Sequence, residues 1–520
     1  MSDLKPRRLI LIVLLISLLG GFFRFWGIGE RSFWEGEFFS RDMAQSLGHW
    51  STVQRLVDSG NTPLYFLVLK FWQTMGDTEA FLRTLSALCG TVTIPLVFIL
   101  GISCLGTRSA VIGSFFMALS PFHIFWAQTV RPYTFLSLWM LVSLLCYLQA
   151  VQKDRTWGWV GYAVGSTLSL YTHYAGFSTV LIGGSHFLLN WRRFRKHRLF
   201  FLYTLLAIFL FFSPWLALLT WVLKGGGTQP FSRALHITYA GRLLKSAYIP
   251  FLFSLGGSVA PWALGVVIPA IVVFGGLLIR GVFSKKDRSS GLQFLLIMLL
   301  VPPFILIPFV PHVKAAHLLV LSTAYYLILG KGVLSFRALG FRATSLAAIC
   351  LLFAISLYHY ERQDSLHIHR TDTIVPWKKV DEIIKRDGME GDLILFNHPE
   401  HLSIFKYYYK GDLETIPIVQ SDLEGEIYRK IEGYDRAWLV LKDSQNQKER
   451  TALVRWMDSH YYLVSEKKYL KNHRVIAGLM DGNMKAHLYY ALEIYLYDLK
   501  KQKSSVVERG SLISTAEGRF

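Results

Sequence analysis

The chain has 520 residues, 52% of them hydrophobic and 15% aromatic, and a formal charge of +20. That apolar share excludes an ordinary soluble enzyme of this length, because repeated runs near 20 residues mean membrane spans. The basic residues fall in short clusters between those runs, which excludes nucleic acid as a partner. The four cysteines, Cys89, Cys104, Cys146 and Cys350, lie in or beside apolar segments without metal-ligand spacing and read as packing residues.

The first apolar run, residues 9–23, follows Lys5, Arg7 and Arg8 and lacks the small residues of a cleavage site, so it is a retained signal anchor. Directly after it comes Arg24-Phe25-Trp26-Gly27-Ile28-Gly29-Glu30-Arg31-Ser32-Phe33-Trp34-Glu35-Gly36-Glu37-Phe38-Phe39-Ser40. Carboxylates are costly beside hydrocarbon and are kept there for chemistry or ion handling, while aromatic side chains fix such a segment at headgroup level. Glu37 and Glu35 are therefore the candidate acid/base groups. In an extended loop the two point the same way, whereas in a helix they diverge. The competing reading makes both solvated residues paired with Arg31 or Arg41.

Residues 62–75 are apolar but too short to cross a bilayer at about 1.5 Å per residue. With Pro63 in the first turn, they predict an interfacial helix on the outer face, packed under the Glu35/Glu37 loop. Roughly eleven spans follow from the apolar runs, at 9–28, 80–103, 109–127, 133–151, 157–174, 175–190, 199–222, 259–280, 291–310, 315–330 and 342–359. Alternate connections carry the positive charge (Arg108; Lys153 and Arg155; Arg192 to Arg198; Lys285, Lys286 and Arg288; Lys331, Arg337 and Arg342), which places them and the N-terminus in the cytoplasm. The other set holds Glu35 and Glu37, Arg131, His173, the 224–257 loop and residues 312–317, and faces outward.

Beyond residue 361 the composition changes. Residues 376–384 have helical periodicity, with Trp377, Val380 and Ile384 on one face, and residues 392–396 and 437–441 read as buried strands. Helical stretches near 400–409, 421–432 and 446–458 separate them. The expected organisation is an α-helical polytopic membrane domain over 1–360, a small extracytoplasmic α/β domain over 361–500, and a polar, disordered tail over 501–520. The Gly225-Gly226-Gly227 run lacks the Lys and Ser/Thr of a phosphate-cradling loop.

Several pieces resemble one family. They are Arg31-Ser32-Phe33-Trp34-x-x-Glu37-x-x-Ser40; Pro63-Leu64-Tyr65-Phe66-Leu67-Val68-Leu69-Lys70-Phe71-Trp72; Gly76-Asp77-Thr78-Glu79-Ala80-Phe81-Leu82-Arg83; Leu119-Ser120-Pro121-Phe122-His123; Gln128-Thr129-Val130-Arg131-Pro132-Tyr133; and Leu170-Tyr171-Thr172-His173-Tyr174. Together they look like the bacterial GT-C-fold membrane glycosyltransferases, which are similar to dolichyl-phosphate-mannose protein mannosyltransferases and to the aminoarabinose transferases of lipid A. The family's Asp-Glu pair reads Gly36-Glu37 here, its His before the Pro-Leu-Tyr piece reads Asn61, its Gln-Glu-Ala-Arg reads Gln128-Thr129-Val130-Arg131, and its Arg-Tyr pair at a late span reads Ala316-His317.

The resemblance implies a GT-C-like enzyme of the inner membrane and cell envelope. It would transfer a hexose or pentose, with inversion, from a polyprenyl-phosphate carrier to a glycan, lipid or protein acceptor outside the membrane. A carboxylate must take the acceptor's proton, and cationic donors must stabilise the leaving phosphate. Glu37, then Glu35, carries the first role. Arg131, Tyr133, Lys314, His317 and Arg83 are the candidate donor-phosphate residues; taken alone, Arg131 is an interfacial anchor and Arg83 the ion-pair partner of Glu79 one turn earlier. His173, Tyr65 and Trp34 are candidates for holding the sugar, and a divalent metal is a further possible ligand. Two alternatives remain open at this stage: a transporter or flippase for a lipid-linked glycan, and a catalytically impaired relative that binds such a lipid.

Overall fold

The computed structural model describes residues 6–224, 239–284, 290–309, 315–362, 376–418, 423–442, 447–473 and 488–502. They divide into two units. One is helical and takes in 6–30 and 39–362; the other is an α/β unit of 376–502 that also includes residues 31–38.

The helical unit begins with α1 (Pro6–Phe25), α2 (Glu35–Ser46), α3 (Trp50–Asp58), α4 (Leu64–Gln73), α5 (Glu79–Leu105), α6 (Thr107–Leu119), α7 (Pro121–Ala127), α8 (Tyr133–Lys153), α9 (Thr156–Thr172) and α10 (Ser178–Leu189). It continues with α11 (Arg198–Lys224), α12 (Tyr239–Leu255), α13 (Leu264–Ala270), α14 (Gly276–Phe283), α15 (Ser290–Phe309), α16 (Leu321–Leu334) and α17 (Leu339–Arg362). Among the described residues, seven helices are long and apolar enough to cross a membrane, or eight if the bent pair α6–α7 is one span. Shorter apolar helices cover Tyr174–Leu189 and Leu321–Leu334. The chain is a multi-pass membrane protein; eleven spans are expected from the apolar runs, and seven of these runs fall on helices of spanning length, the other four on the bent pair α6–α7 and on the shorter α9, α10 and α16. The 224–257 stretch, expected as a loop, contains α12, a helix of 17 residues.

Lipid-facing helices show large apolar side chains outward, as on α1 at Ile10, Leu14, Leu18 and Phe22. Inside, small residues let backbones meet. A Cβ on Gly332 would lie 2.1 Å from the Leu277 carbonyl oxygen, and one on Gly281 would lie 2.3 Å from that of Ile328. This close fit buries α16 along almost its whole length. At 14 residues, α16 reaches about 21 Å, and surrounding protein rather than lipid covers it.

The α6–α7 pair bends by 55° at Ser120-Pro121. Pro121 has no N–H for the carbonyl of Met117 four residues earlier. The guanidinium of Arg24, fully buried at the end of α1, donates instead to Met117 O (3.0 Å), Ala118 O (3.0 Å) and Gly20 O (2.7 Å), and to His123 Nδ1 (3.3 Å).

Lys196 and His197 pair with Asp154 of the α8–α9 turn (2.6 and 2.9 Å), and Arg280 donates to Ser335 (3.0 Å), joining loops of the basic set. Hydrogen bonding to Lys196 and His197 lowers the carboxyl pKa of Asp154.

The α/β unit holds α18 (Trp377–Asp387), β1 (Asp392–Phe396), α19 (Pro399–Tyr408), β2 (Glu414–Pro417), α20 (Leu423–Ile431), β3 (Arg436–Lys442), α21 (Gln447–His460), β4 (Tyr461–His473) and β5 (Leu488–Gln502). The sheet order is β2-β1-β3-β5-β4, with β2, β1 and β3 parallel and β5 antiparallel to both neighbours. One core packs α18 and α19 on Ile394, Phe396, Trp438 and Val440; the other packs α20 and α21 on Leu393, Leu395, Leu439 and Leu441. Asp392 accepts from Arg436 Nε (2.8 Å) and Nη2 (2.6 Å), Trp438 Nε1 (2.9 Å) and Met389 N (3.0 Å), and this pairing raises the Arg436 pKa. Strands β4 and β5 were absent from the sequence reading. β5 extends to Gln502, past the expected start of the tail; residues 503–520 lie outside the described residues.

Candidate active site

The Glu35/Glu37 segment is the first turn of a helix rather than an extended loop, so its carboxylates diverge. Residues 31–38 lie in the α/β unit. Ser32 Oγ accepts from Lys378 N (3.2 Å), Phe33 N donates to Tyr408 Oη (2.6 Å), and the buried Phe33 ring lies 5.3 Å from that of Tyr407. Helix α2 then starts at Glu35. Glu37, at the third helical position, reaches back so that Trp34 N donates to its carboxylate (3.4 Å), the reciprocal half of a capping box. Glu37 is 1% exposed.

Glu35 turns the other way. It is ion-paired with Lys442 Nζ, at the end of β3, and lies 3.1 Å from His401 Nε2. Asn397 braces both partners. Its Nδ2 donates to Lys442 O (2.9 Å), its Oδ1 accepts from Lys442 N (3.2 Å), and the same oxygen faces His401 Nδ1 (3.2 Å). Arg41 is bidentate on Asp77. Trp34 lies over Gly36, where an added Cβ would be 2.3 Å from the indole. The half-buried ring thus packs against its own helix turn.

In the helical unit, four sequence candidates come together. Arg131, in the α7–α8 turn, donates to Ser40 Oγ (3.1 Å) and Tyr133 Oη (3.2 Å), with its guanidinium 5.4 Å from the Tyr133 ring centre. The Tyr133 ring is 5.3 Å from that of His317, which stacks on His173 at 4.1 Å. Ala175 N donates to His173 Nδ1 (3.0 Å), so a neutral His173 ring carries its proton on Nε2. The row of cation, phenol and two imidazoles offers donors suited to phosphate and sugar oxygens.

Other candidates sit elsewhere. Arg83 is buried and donates to the Ile28 carbonyl (2.8 Å), a contact that ties α5 to the turn after α1. Tyr65 is buried in a core with Phe66 and Phe135. Lys314 lies outside the described residues. Among the described residues no three His, Cys, Asp or Glu side chains are grouped to hold a metal.

Helix α4 is the short helix expected over 62–75. It packs on the second half of α2, with Phe66 edge-on to Phe39 at 6.4 Å, Gln73 donating to Arg41 O (3.1 Å) and Lys70 to Leu47 O. Gln128, from the Gln-x-x-Arg piece, is structural. It donates to Phe23 O (3.0 Å) and Trp26 O (2.8 Å) and accepts from Tyr360 Oη (2.8 Å). Sequence reading missed Lys442, His401 and Asn397. Their one local signal is position, at the carboxyl ends of two apolar strands.

Residues 60–218 match the model of a family described as dolichyl-phosphate-mannose-protein mannosyltransferase. Among solved structures, the chain is similar to ArnT from Cupriavidus metallidurans in its apo state, at 13% identity and a TM-score of 0.52, covering 94% of this chain and 97% of that one. It is similar to the same protein bound to undecaprenyl phosphate, at 13% identity and a TM-score of 0.53, covering 94% and 98%. It is also similar to the apo oligosaccharyltransferase of Archaeoglobus fulgidus, at 12% identity and a TM-score of 0.52, covering 94% of this chain and 75% of that one. No curated protein matches. At these identities the likeness establishes the fold.

Proposed function

We propose that this chain, which has the fold of the GT-C membrane glycosyltransferases, transfers a sugar from a polyprenyl-phosphate donor to an acceptor hydroxyl at the extracytoplasmic face. The observation that carries the reading is the Arg131–Tyr133–His317–His173 row, a cation and three ring donors gathered from three separate connections. That ArnT has been solved with undecaprenyl phosphate supports a lipid phosphate as the donor's leaving group.

In this reading Glu37 takes the proton from the acceptor hydroxyl as its oxygen attacks the anomeric carbon. The bond from that carbon to the phosphate oxygen breaks, the electron pair leaves with the phosphate, and Arg131 stabilises the charge. A single in-line displacement inverts the anomeric centre. His173 and His317 donate to sugar or phosphate oxygens, and Tyr133 holds the guanidinium. Glu35 serves as an anchor through Lys442 and His401, which leaves Glu37 as the base.

Glu37→Gln keeps the shape of the turn and should lower transfer by roughly 10²- to 10⁴-fold in vesicles supplied with a polyprenyl-phosphate sugar. Arg131→Ala should cost about 10²- to 10³-fold. Full transfer by Glu37→Gln protein would rule out this assignment of the base. The engagement of both carboxylates favours a second reading, a protein that binds lipid-linked sugar without transferring it. Product formation by the unaltered protein decides between the two. Labelling of a single cysteine placed in residues 31–34 from outside intact cells tests the orientation.

A further inference from the structure

In the α/β unit the helix after β1, α19, packs on one face of the sheet, and the helix after β3, α21, packs on the other. Adjacent parallel strands whose following helices part in this way open a crevice beyond their carboxyl ends, and open α/β sheets bind ligands there. Three residues frame this crevice: Asn397, directly after β1; His401, in the first turn of α19; and Lys442, the last residue of β3. Lys442 and His401 are 1% and 6% exposed. Buried basic groups at such a place need an anion, and both meet Glu35.

We propose that this crevice is an anion-binding clamp whose ligand is the chain's own Glu35, and that Lys442 and His401 are positioning residues for helix α2. Three anchors pin residues 31–38 in sequence: Ser32 on Lys378 N, Phe33 on Tyr408 and Tyr407, and Glu35 in the crevice. Glu37 follows two residues later on the same turn. The clamp thus fixes the conformation of residues 31–38 and which of their carboxylates remains for chemistry. The consequence for catalysis rests on the transferase reading above; the clamp itself does not.

The test uses the full chain in lipid nanodiscs, with hydrogen exchange of residues 33–38 as the primary readout. Lys442→Met and Glu35→Gln should each speed exchange there by about tenfold or more, the loss expected for a charged hydrogen bond, while β1 and β3 stay protected. Lys442→Arg should restore protection. In the vesicle assay, Glu35→Gln should lower kcat with little change in KM for the lipid-linked sugar.

Unchanged exchange of 33–38 in both variants overturns the clamp. If Lys442→Met also exposes β1 and β3, Glu35→Gln, which alters no residue of the crevice, decides. Faster exchange with unaltered kcat retains the clamp and overturns the positioning of Glu37. If the unaltered protein transfers no sugar, only the transferase reading fails, and exchange still decides the clamp.

Discussion

Arg24→Met offers the sharpest test of how the helical unit is held together. Arg24 donates to two carbonyls, Met117 O and Ala118 O, that the break at Pro121 leaves without their helical partners. Its third acceptor, Gly20 O, lies one turn back in its own helix and keeps a backbone partner when the side chain is lost. An unsatisfied buried carbonyl costs about 1–3 kcal/mol, so the pair sets a gross loss of about 2–6 kcal/mol. Removing a buried guanidinium offsets part of this, leaving a net destabilisation of about 2–4 kcal/mol. The thermal midpoint of the full chain in detergent should fall by several degrees, and Arg24→Lys should lie between. Pro121→Ala returns an N–H to Met117 O. In that background Arg24→Met should therefore cost less, by about 1 kcal/mol or more, since the two sites share an acceptor. An unchanged midpoint for Arg24→Met, or strict additivity with Pro121→Ala, would refute the reasoning.

Asp392→Asn keeps the volume but removes the charge facing Arg436 and turns an amide donor toward Trp438 and Met389. Breaking such a buried pair costs about 3–5 kcal/mol, and hydrogen exchange of β1 and β3 in the full chain should accelerate by about 10²-fold or more. Gly36→Ala drives a methyl into the Trp34 indole. It should destabilise the start of α2 by about 1–3 kcal/mol, read as faster exchange of residues 34–38, and Trp34→Ala should relieve it.

The apolar helices and the grouping of Arg131, His173 and His317 were legible because each rests on local pattern. Apolar runs fix the helices, and the alternation of basic loops sorts Arg131, His173 and His317 to one side before any contact is known. Strands β1 and β3, covered on both faces, read as unbroken apolar runs. Strand β5 did not, because Leu492, Tyr495, Leu496 and Leu499 also satisfy helical spacing, and only its pairing with β3 and β4 resolves the period. Edge strand β4 mixes Lys, Glu and Tyr, as edges often do. Arg83 and Tyr65 are both buried, and nothing in their immediate sequence separates a buried anchor from a ligand contact.

The acidic turn shows why a motif can shift without losing its logic. The resemblance implies an Asp-Glu pair, and this chain has Gly36 where the Asp would be. The indole of Trp34 occupies the space a side chain at 36 would need, so the second carboxylate stands one residue earlier, at Glu35. From that position on a helix it points away from Glu37, into the reach of Lys442 and His401, more than 360 residues along the chain. No local pattern could reveal that partner. The pairing also sets the electrostatics of the turn: a carboxylate neutralised by a buried lysine repels its neighbour little. In the transfer proposed above, Glu37 would both cap the helix and accept the acceptor's proton, with the clamp on Glu35 holding the turn in place.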